Sequence, residues 1–301
     1  MIRLHESKKL QILHQSLSEY IPEAMKVYGS IFNIIRGNPF NLEVLVDSWP
    51  DYQTVITRPQ KKEMMDDKDH YINTYHIFSK DFQKLPAILE CNSVINWKQS
   101  LTIQGCQNGL NEKIRDVVPF KSIKVDYSKR FLYITGDVLK SITSNASKLM
   151  KSNEVTSSEN VTFRSTNNNF KPALLDVSHA ELVSNNWKFG KNEKSLRFVK
   201  RCLQKFPGYC LLGPEGNPIT WTIMEHTNEL RMVYTLPEYR GKRIAKMMGI
   251  SYIQHLKEND MPFYCSVEKM NEQSHKLMKS LGFHAMDCGW HEWKCVPDEL
   301  L

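Results

Sequence analysis

Glu229-Leu-Arg-Met-Val-Tyr-Thr-Leu-Pro-Glu-Tyr-Arg240-Gly-Lys-Arg-Ile-Ala245-Lys-Met-Met248 is the stretch whose reading decides the fold. Glu229–Thr235 reads as a strand, Arg240–Arg243 as a basic turn with one glycine, and Ile244, Met247, Met248, Tyr252 and Leu256 recur on one side of a helix. A strand that enters such a turn and opens at once into a helix presents unpaired backbone N–H groups and a positive dipole end. That arrangement suits a phosphate. The same residues also fit an ordinary solvated strand-to-helix turn, so the surrounding elements must decide.

Upstream, Leu196, Val199, Cys202, Leu203 and Phe206 recur at helical spacing within Ser195–Phe206. Tyr209–Leu212 and Ile219–Met224 flank the breaker-rich Gly213-Pro-Glu-Gly-Asn-Pro218 and form a predicted hairpin. Downstream, Pro262–Val267 reads as a strand, Asn271–Leu281 as a helix and Phe283–Lys294 as a final strand-rich segment. The order helix, hairpin, strand, helix, strand, helix, strand is that of an α+β domain.

The N-terminal half is expected to be α+β as well. MIRLHESKKLQILHQSL places Leu4, Leu10, Leu13 and Leu17 near one helical face. Lys26–Ile35, Leu42–Val46, Gln53–Thr57 and Arg130–Thr135 read as strands, and Asp81–Leu89 as a helix. From Ser141 to Asn169 the sequence turns polar and reads as a linker or mobile loop. The expected organisation is an N-terminal domain over 1–140, a linker over 141–169 and a C-terminal domain over 170–301, each domain a mixed, mainly antiparallel sheet flanked by helices.

With 301 residues, 41% hydrophobic and 24% charged, the composition is that of a folded globular protein. The net charge of +7 suits an anionic small molecule as well as nucleic acid, but no basic-aromatic array for reading nucleic acid is present, so none is expected as a partner. Seven scattered cysteines without C-x-x-C pairs read as buried reduced thiols, with no metal site. Arg3, Glu6, Lys8 and Lys9 break up the only N-terminal apolar run, so no transmembrane segment is expected. Leu-rich and basic at its start, the chain fits either an uncleaved mitochondrial address or a first core helix.

Arg240-Gly-Lys-Arg-Ile-Ala245 resembles the R-x-x-G-x-G/A diphosphate loop of GNAT-type acyltransferases, with Arg243 where that family usually carries a small residue. Phe263-Tyr-Cys-Ser-Val-Glu268, then Asn271, Ser274 and Leu281-Gly-Phe283, is similar to the strand, Asn-led helix and L-G-F of the same fold. Lys26-Val-Tyr-Gly29, Asn38-Pro-Phe-Asn41, Val44-Leu-Val-Asp47, Ile56-Thr-Arg-Pro-Gln60, Asp69-His-Tyr-Ile-Asn-Thr-Tyr-His76, Asn96-Trp-Lys-Gln99, Leu211-Leu-Gly-Pro-Glu-Gly216 and Trp290-His-Glu-Trp-Lys-Cys295 resemble the glycine N-acyltransferase family across nearly the whole chain.

The resemblance implies two GNAT-like domains, acyl-CoA as co-substrate, glycine or glutamine as acceptor, no metal and a monomer. Mitochondria are the expected location, with the endoplasmic reticulum or cytoplasm as alternatives. It makes Glu229 the general base that frees the attacking amine, against the plain reading of a strand-edge carboxylate that faces water or pairs with Arg231. Met232, Val233 and Tyr234 would run along the pantetheine arm, one of their N–H groups polarising the thioester carbonyl. Arg240, Gly241, Lys242, Arg243, Ile244 and Ala245 would hold the diphosphate. Met278 stands where many GNAT enzymes carry the Tyr that protonates the thiolate, so no residue takes that role. Arg243 and Met278 keep open a non-catalytic acyl-CoA-binding paralogue, and the fold itself keeps open acylation of protein lysines.

Overall fold

The computed structural model describes residues 1–148 and 170–301, which pack as two compact units. Unit 1 is Met1–Leu132 with Ala285–Leu301; unit 2 is Tyr133–His284. The chain is α+β throughout.

In chain order the first set of elements is β1 (Ile2–Leu4), α1 (Ser7–Leu17), α2 (Met25–Ile35), β2 (Leu42–Val46), β3 (Thr54–Pro59), β4 (Thr74–Ser79), α3 (Leu85–Glu90), β5 (Leu101–Gly105), α4 (Leu110–Val117) and β6 (Ile123–Thr135). After α5 (Gly136–Lys148) come β7 (Lys171–Leu175), α6 (Ala180–Asn186), α7 (Glu193–Lys205), β8 (Gly208–Leu212), β9 (Pro218–Met224), β10 (Glu229–Thr235), α8 (Ile244–Glu258), β11 (Tyr264–Glu268), α9 (Glu272–Ser280) and β12 (Phe283–Pro297). The same order therefore occurs twice: a strand, two helices, three strands, then helix, strand, helix, strand. Pairing repeats with it. β1 through β4 are successively antiparallel and β4 is parallel to β5, just as β7 through β10 are antiparallel and β10 is parallel to β11.

Strand β12 pairs antiparallel with β5, from His291 opposite Gly105 to Cys295 opposite Leu101. Trp293 and Cys295 thereby join the apolar core of unit 1, so the end of the chain belongs there rather than with residues 170–284. Residues 141–148, expected to begin a linker, are helical within α5, and the rest of that expected segment, 149–169, lies outside the described residues.

Two N-terminal expectations need correction. Lys26–Ile35 is helix rather than strand. Its Val, Tyr, Ile and Phe residues favour strands locally, but the segment is buried on nearly every side as α2, which erases the polar face that marks a helix in sequence. Leu4 lies in β1 opposite Val44, outside the helix, while Leu10, Leu13 and Leu17 are buried on α1 as a core helix requires. The helix expected over Asp81–Leu89 forms only from Leu85, where Pro86 takes a first-turn position.

His14 on α1 stacks on Tyr28 of α2 at 4.0 Å between ring centroids, and its Nε2 is buried with no hydrogen-bond partner among the described residues. Burial, reinforced by the Arg36 charge, drives its pKa down to about 3. The neutral ring is thus compatible with folding above the ordinary pKa near 6.5. As pH falls from there toward 3 the unfolded chain takes up a proton that the folded chain refuses, and stability drops by at most about 1.4 kcal/mol per pH unit. His14→Phe should flatten the fall in Tm between pH 7 and pH 5; an unchanged slope would contradict this placement.

Candidate active site

The site lies within unit 2 and is built on β10. This strand pairs with β9 on one side, where the register shifts between Arg231 and Tyr234 and Met232 adopts φ +56°. A non-glycine residue in that region marks a bulge. On the other side only Glu229↔Tyr264 and Leu230↔Cys265 pair with β11. Past Leu230 the two strands part, and among the described residues no registered strand partner occupies that edge of Met232–Thr235.

Beside the parting lies an apolar cleft, walled among others by Leu230, Val233, Ala245, Met248, Met278 and Phe283 from β10, α8, α9 and β12. Its depth owes something to Gly249. A Cβ there would meet Leu281 Cδ1 at 2.6 Å, so glycine is what lets α8 approach Leu281 this closely.

At its far end β10 passes through Pro237–Tyr239 into the exposed residues Arg240–Arg243, and α8 begins at Ile244. Gly241 has φ +75° and Arg243 φ +58°. The first turn of α8 contains no acidic residue, and the residue before it makes no side-chain cap. Uncapped N–H groups at the positive end of a fifteen-residue helix, next to an exposed cationic turn, fit a diphosphate. Arg240 donates from Nε to the Thr235 carbonyl at 3.0 Å and lies 5.2 Å from the Tyr234 ring, which ties the turn to the strand. The conformation also explains why a small residue is usual at position 243: the left-handed region costs an L side chain about 1–2 kcal/mol.

Gly241→Ala should therefore destabilise the protein by roughly 1 kcal/mol through backbone strain alone, since a Cβ there meets nothing within 4 Å. Thermal unfolding and coenzyme A calorimetry should show a small drop in Tm together with weaker binding; unchanged affinity would mean that the turn does not hold the ligand.

At the near end Glu229 is fully buried, and its Oε1 accepts a hydrogen bond from Ser266 Oγ of β11 at 2.6 Å. Ser266 itself is half-buried. Burial excludes one sequence alternative for Glu229, exposure to water. Arg231 donates from Nη1 to Glu225 Oε2 at 2.7 Å, and Glu225 Oε1 accepts from Thr227 Oγ1 at 2.7 Å. The β9–β10 turn closes with Glu225 N–H bonded to the Glu229 carbonyl, with Asn228 left-handed at φ +64°.

The fold thus brings Glu229 and Met232–Tyr234 to one strand, with Arg240–Ala245 at its exit. Cys265 is deeply buried, and desolvation holds its thiol well above the ordinary range. Its Sγ lies 3.0 Å from Met278 Sδ, so the position of the usual Tyr is filled by a sulfur pair. All seven cysteines are free, but Cys91 is exposed, against the expectation that all are buried. Glu225, Ser266 and Trp187, whose ring lies 5.6 Å from the Arg231 guanidinium, were not legible as site residues, since each comes from a different element. Among the described residues no group of three or more His, Cys, Asp and Glu side chains is placed to hold a metal ion.

Comparison with known proteins identifies the family and the fold. A family model described as aralkyl acyl-CoA:amino acid N-acyltransferase matches residues 1–207, and the model of that family's C-terminal region matches residues 209–297. The chain is 51% identical over 297 residues to human glycine N-acyltransferase-like protein 2, covering 99% of each chain. It is 41% identical over 297 residues to mouse glycine N-acyltransferase, again covering 99% of each. A solved Drosophila protein superimposes with a TM-score of 0.74 at 12% identity, covering 99% of this chain and 98% of that one. A tandem GNAT protein from the clavulanic acid biosynthesis pathway gives 0.53 at 11% identity, covering 97% and 96%. At such identities these two structures speak to the fold alone.

Proposed function

We propose, on the premise that this chain belongs to the aralkyl acyl-CoA:amino acid N-acyltransferase family and is an acyltransferase, that it moves an acyl group from coenzyme A to the amine of glycine, with glutamine the other acceptor to test. The observation that carries this reading is the parting of β10 from β11 next to an apolar cleft, with a buried carboxylate at one end of the strand and a cationic helix start at the other.

An α-amino group is mostly protonated near neutral pH and attacks only as the free base. Glu229, oriented by Ser266, is the residue assigned to take that proton. The backbone N–H groups of Met232, Val233 and Tyr234, on a bulged strand with an open edge, are assigned to lie along the pantetheine arm and to polarise the thioester carbonyl. Arg240, Gly241, Lys242, Arg243, Ile244 and Ala245 are assigned to the diphosphate. Direct transfer needs no nucleophilic cysteine, in keeping with the buried Cys265 thiol.

The twofold element order supports reading both units as GNAT-like, with catalysis in unit 2, where the turn and cleft occur. A monomer in mitochondria completes the proposal; light scattering and imaging of the tagged chain test those two points. The activity itself is tested by incubating the protein with a panel of acyl-CoA thioesters and either glycine or glutamine. N-acylglycine and free coenzyme A in equal amounts are expected. Binding of acyl-CoA without product from any small amine would favour a non-catalytic paralogue, and acyl transfer to polypeptides alone would favour a lysine acyltransferase.

A further inference from the structure

Glu229 is assigned to take the proton of the attacking amine, yet the residue has no accessible surface. The hydrogen-bonded pair that it forms with Ser266 does reach the surface: Ser266 Oγ donates to Glu229 Oε1 at 2.6 Å, and the serine is half-buried. Of the two residues, only the serine offers surface to an incoming molecule.

The register of the strands puts that hydroxyl where the chemistry is expected. β10 and β11 pair at Glu229↔Tyr264 and Leu230↔Cys265, so Ser266 is the first residue of β11 beyond the last pair, at the fork where the strands part. Leu230 and Cys265 both line the apolar cleft. Alternation along each strand then turns Glu229 and Ser266 to the opposite face. With the thioester along the open edge of Met232–Tyr234, an amine that approaches from the face away from the cleft meets Ser266 before Glu229. A hydroxyl suits that position, because it donates one proton while its lone pairs accept another.

We propose that Ser266 is a catalytic proton relay: its Oγ takes a proton from the attacking ammonium as its own proton passes to Glu229 Oε1. The N–H bond breaks as a new O–H bond forms at the serine, and the serine's former O–H bond gives way to one at the carboxylate. The serine ends as a neutral hydroxyl, the amine as the free base and Glu229 as the acid. The relay rests on the reading of Glu229 as general base, and it assigns to Ser266 contact with the substrate rather than orientation of the carboxylate alone.

The test sets two replacements of the same shape against each other. Ser266→Thr keeps the hydroxyl and should retain most of the wild-type kcat/KM for glycine. Ser266→Val fills the same space with methyl groups, leaves no room for water in place of the hydroxyl, and should fall roughly a hundred- to ten-thousand-fold, to the level of Glu229→Gln. Its residual rate should climb with pH as that of Glu229→Gln does, a change that loss of packing alone does not produce. Ser266→Ala, whose vacated space water can enter, should lie in between. Valine and alanine variants of equal rate, both with the wild-type pH profile, would mean a hydroxyl that only orients the carboxylate, and the relay fails; it fails also if threonine is as slow as valine. A wild-type crystal structure with coenzyme A and N-acetylglycine bound decides the point without any substitution. The amide nitrogen should lie within about 3.2 Å of Ser266 Oγ, and a nitrogen placed directly on the Glu229 carboxylate overturns the relay. Near-normal turnover in Glu229→Gln would instead remove the base assignment, and absence of product from any acceptor the acyltransferase reading, each taking the relay with it.

Discussion

Glu229→Gln should bind coenzyme A as the wild-type protein does and lose roughly a hundred- to ten-thousand-fold in kcat/KM for glycine, the range a positioned general base contributes. The variant keeps the shape of the side chain and an oxygen able to accept from Ser266, so packing changes little at a position that is fully buried. What it removes is the ability to accept a proton. Two signatures distinguish this from general damage. The residual rate should climb steeply with pH as solvent supplies the free amine, narrowing the gap to wild type in alkaline buffer. Ser266→Ala should show a milder defect, since it loses the group that orients the carboxylate but not the carboxylate itself. Near-normal turnover in Glu229→Gln would show that the amine is deprotonated elsewhere.

Glu225→Ala should be the most destabilising single change in unit 2 that leaves the apolar core intact. Glu225 and Arg231 form a pair with side-chain exposures of 2% and 12%. Truncating one member breaks a charge-assisted hydrogen bond of 2.7 Å in a largely buried pair, which typically costs about 3–5 kcal/mol. At roughly 2–4 °C per kcal/mol for a unit of this size, the loss should exceed 6 °C in Tm. Replacing both partners with neutral glutamines should recover most of that stability, because removing a buried pair together is far less costly than breaking it. A single variant as stable as wild type would mean that the Glu225–Arg231 pair contributes little to the stability of unit 2.

Much of unit 2 was legible because its signals are local. The bounds of β10 at Glu229–Thr235 were read directly, and the Gly213–Pro218 breakers marked the β8–β9 hairpin, where Gly216 indeed has φ +78°. The basic turn was visible as chemistry, but its conformation was not. That Arg243 occupies a left-handed position follows only from the path of the chain. Unit 1 was harder because α2 is buried almost all round: with no polar face to set a period, β-branched and aromatic residues argue for a strand until packing decides. The assignment of Ala285–Pro297 of β12 to unit 1 had no sequence signal at all, since pairing between positions nearly 190 residues apart is a tertiary fact. Likewise Ser266 reads as one more strand residue, and only the register of β11 against β10 brings its hydroxyl to Glu229.

The account stands or falls on whether the helix start at Arg240–Ala245 and the open edge of β10 hold one ligand between them. A crystal structure with coenzyme A bound tests this most directly. The diphosphate should contact backbone N–H groups between Gly241 and Ala245, with the pantetheine arm along Met232–Tyr234 and its sulfur on the Glu229 side of the bulge. Coenzyme A ordered elsewhere, with that strand edge and helix start untouched, would contradict it.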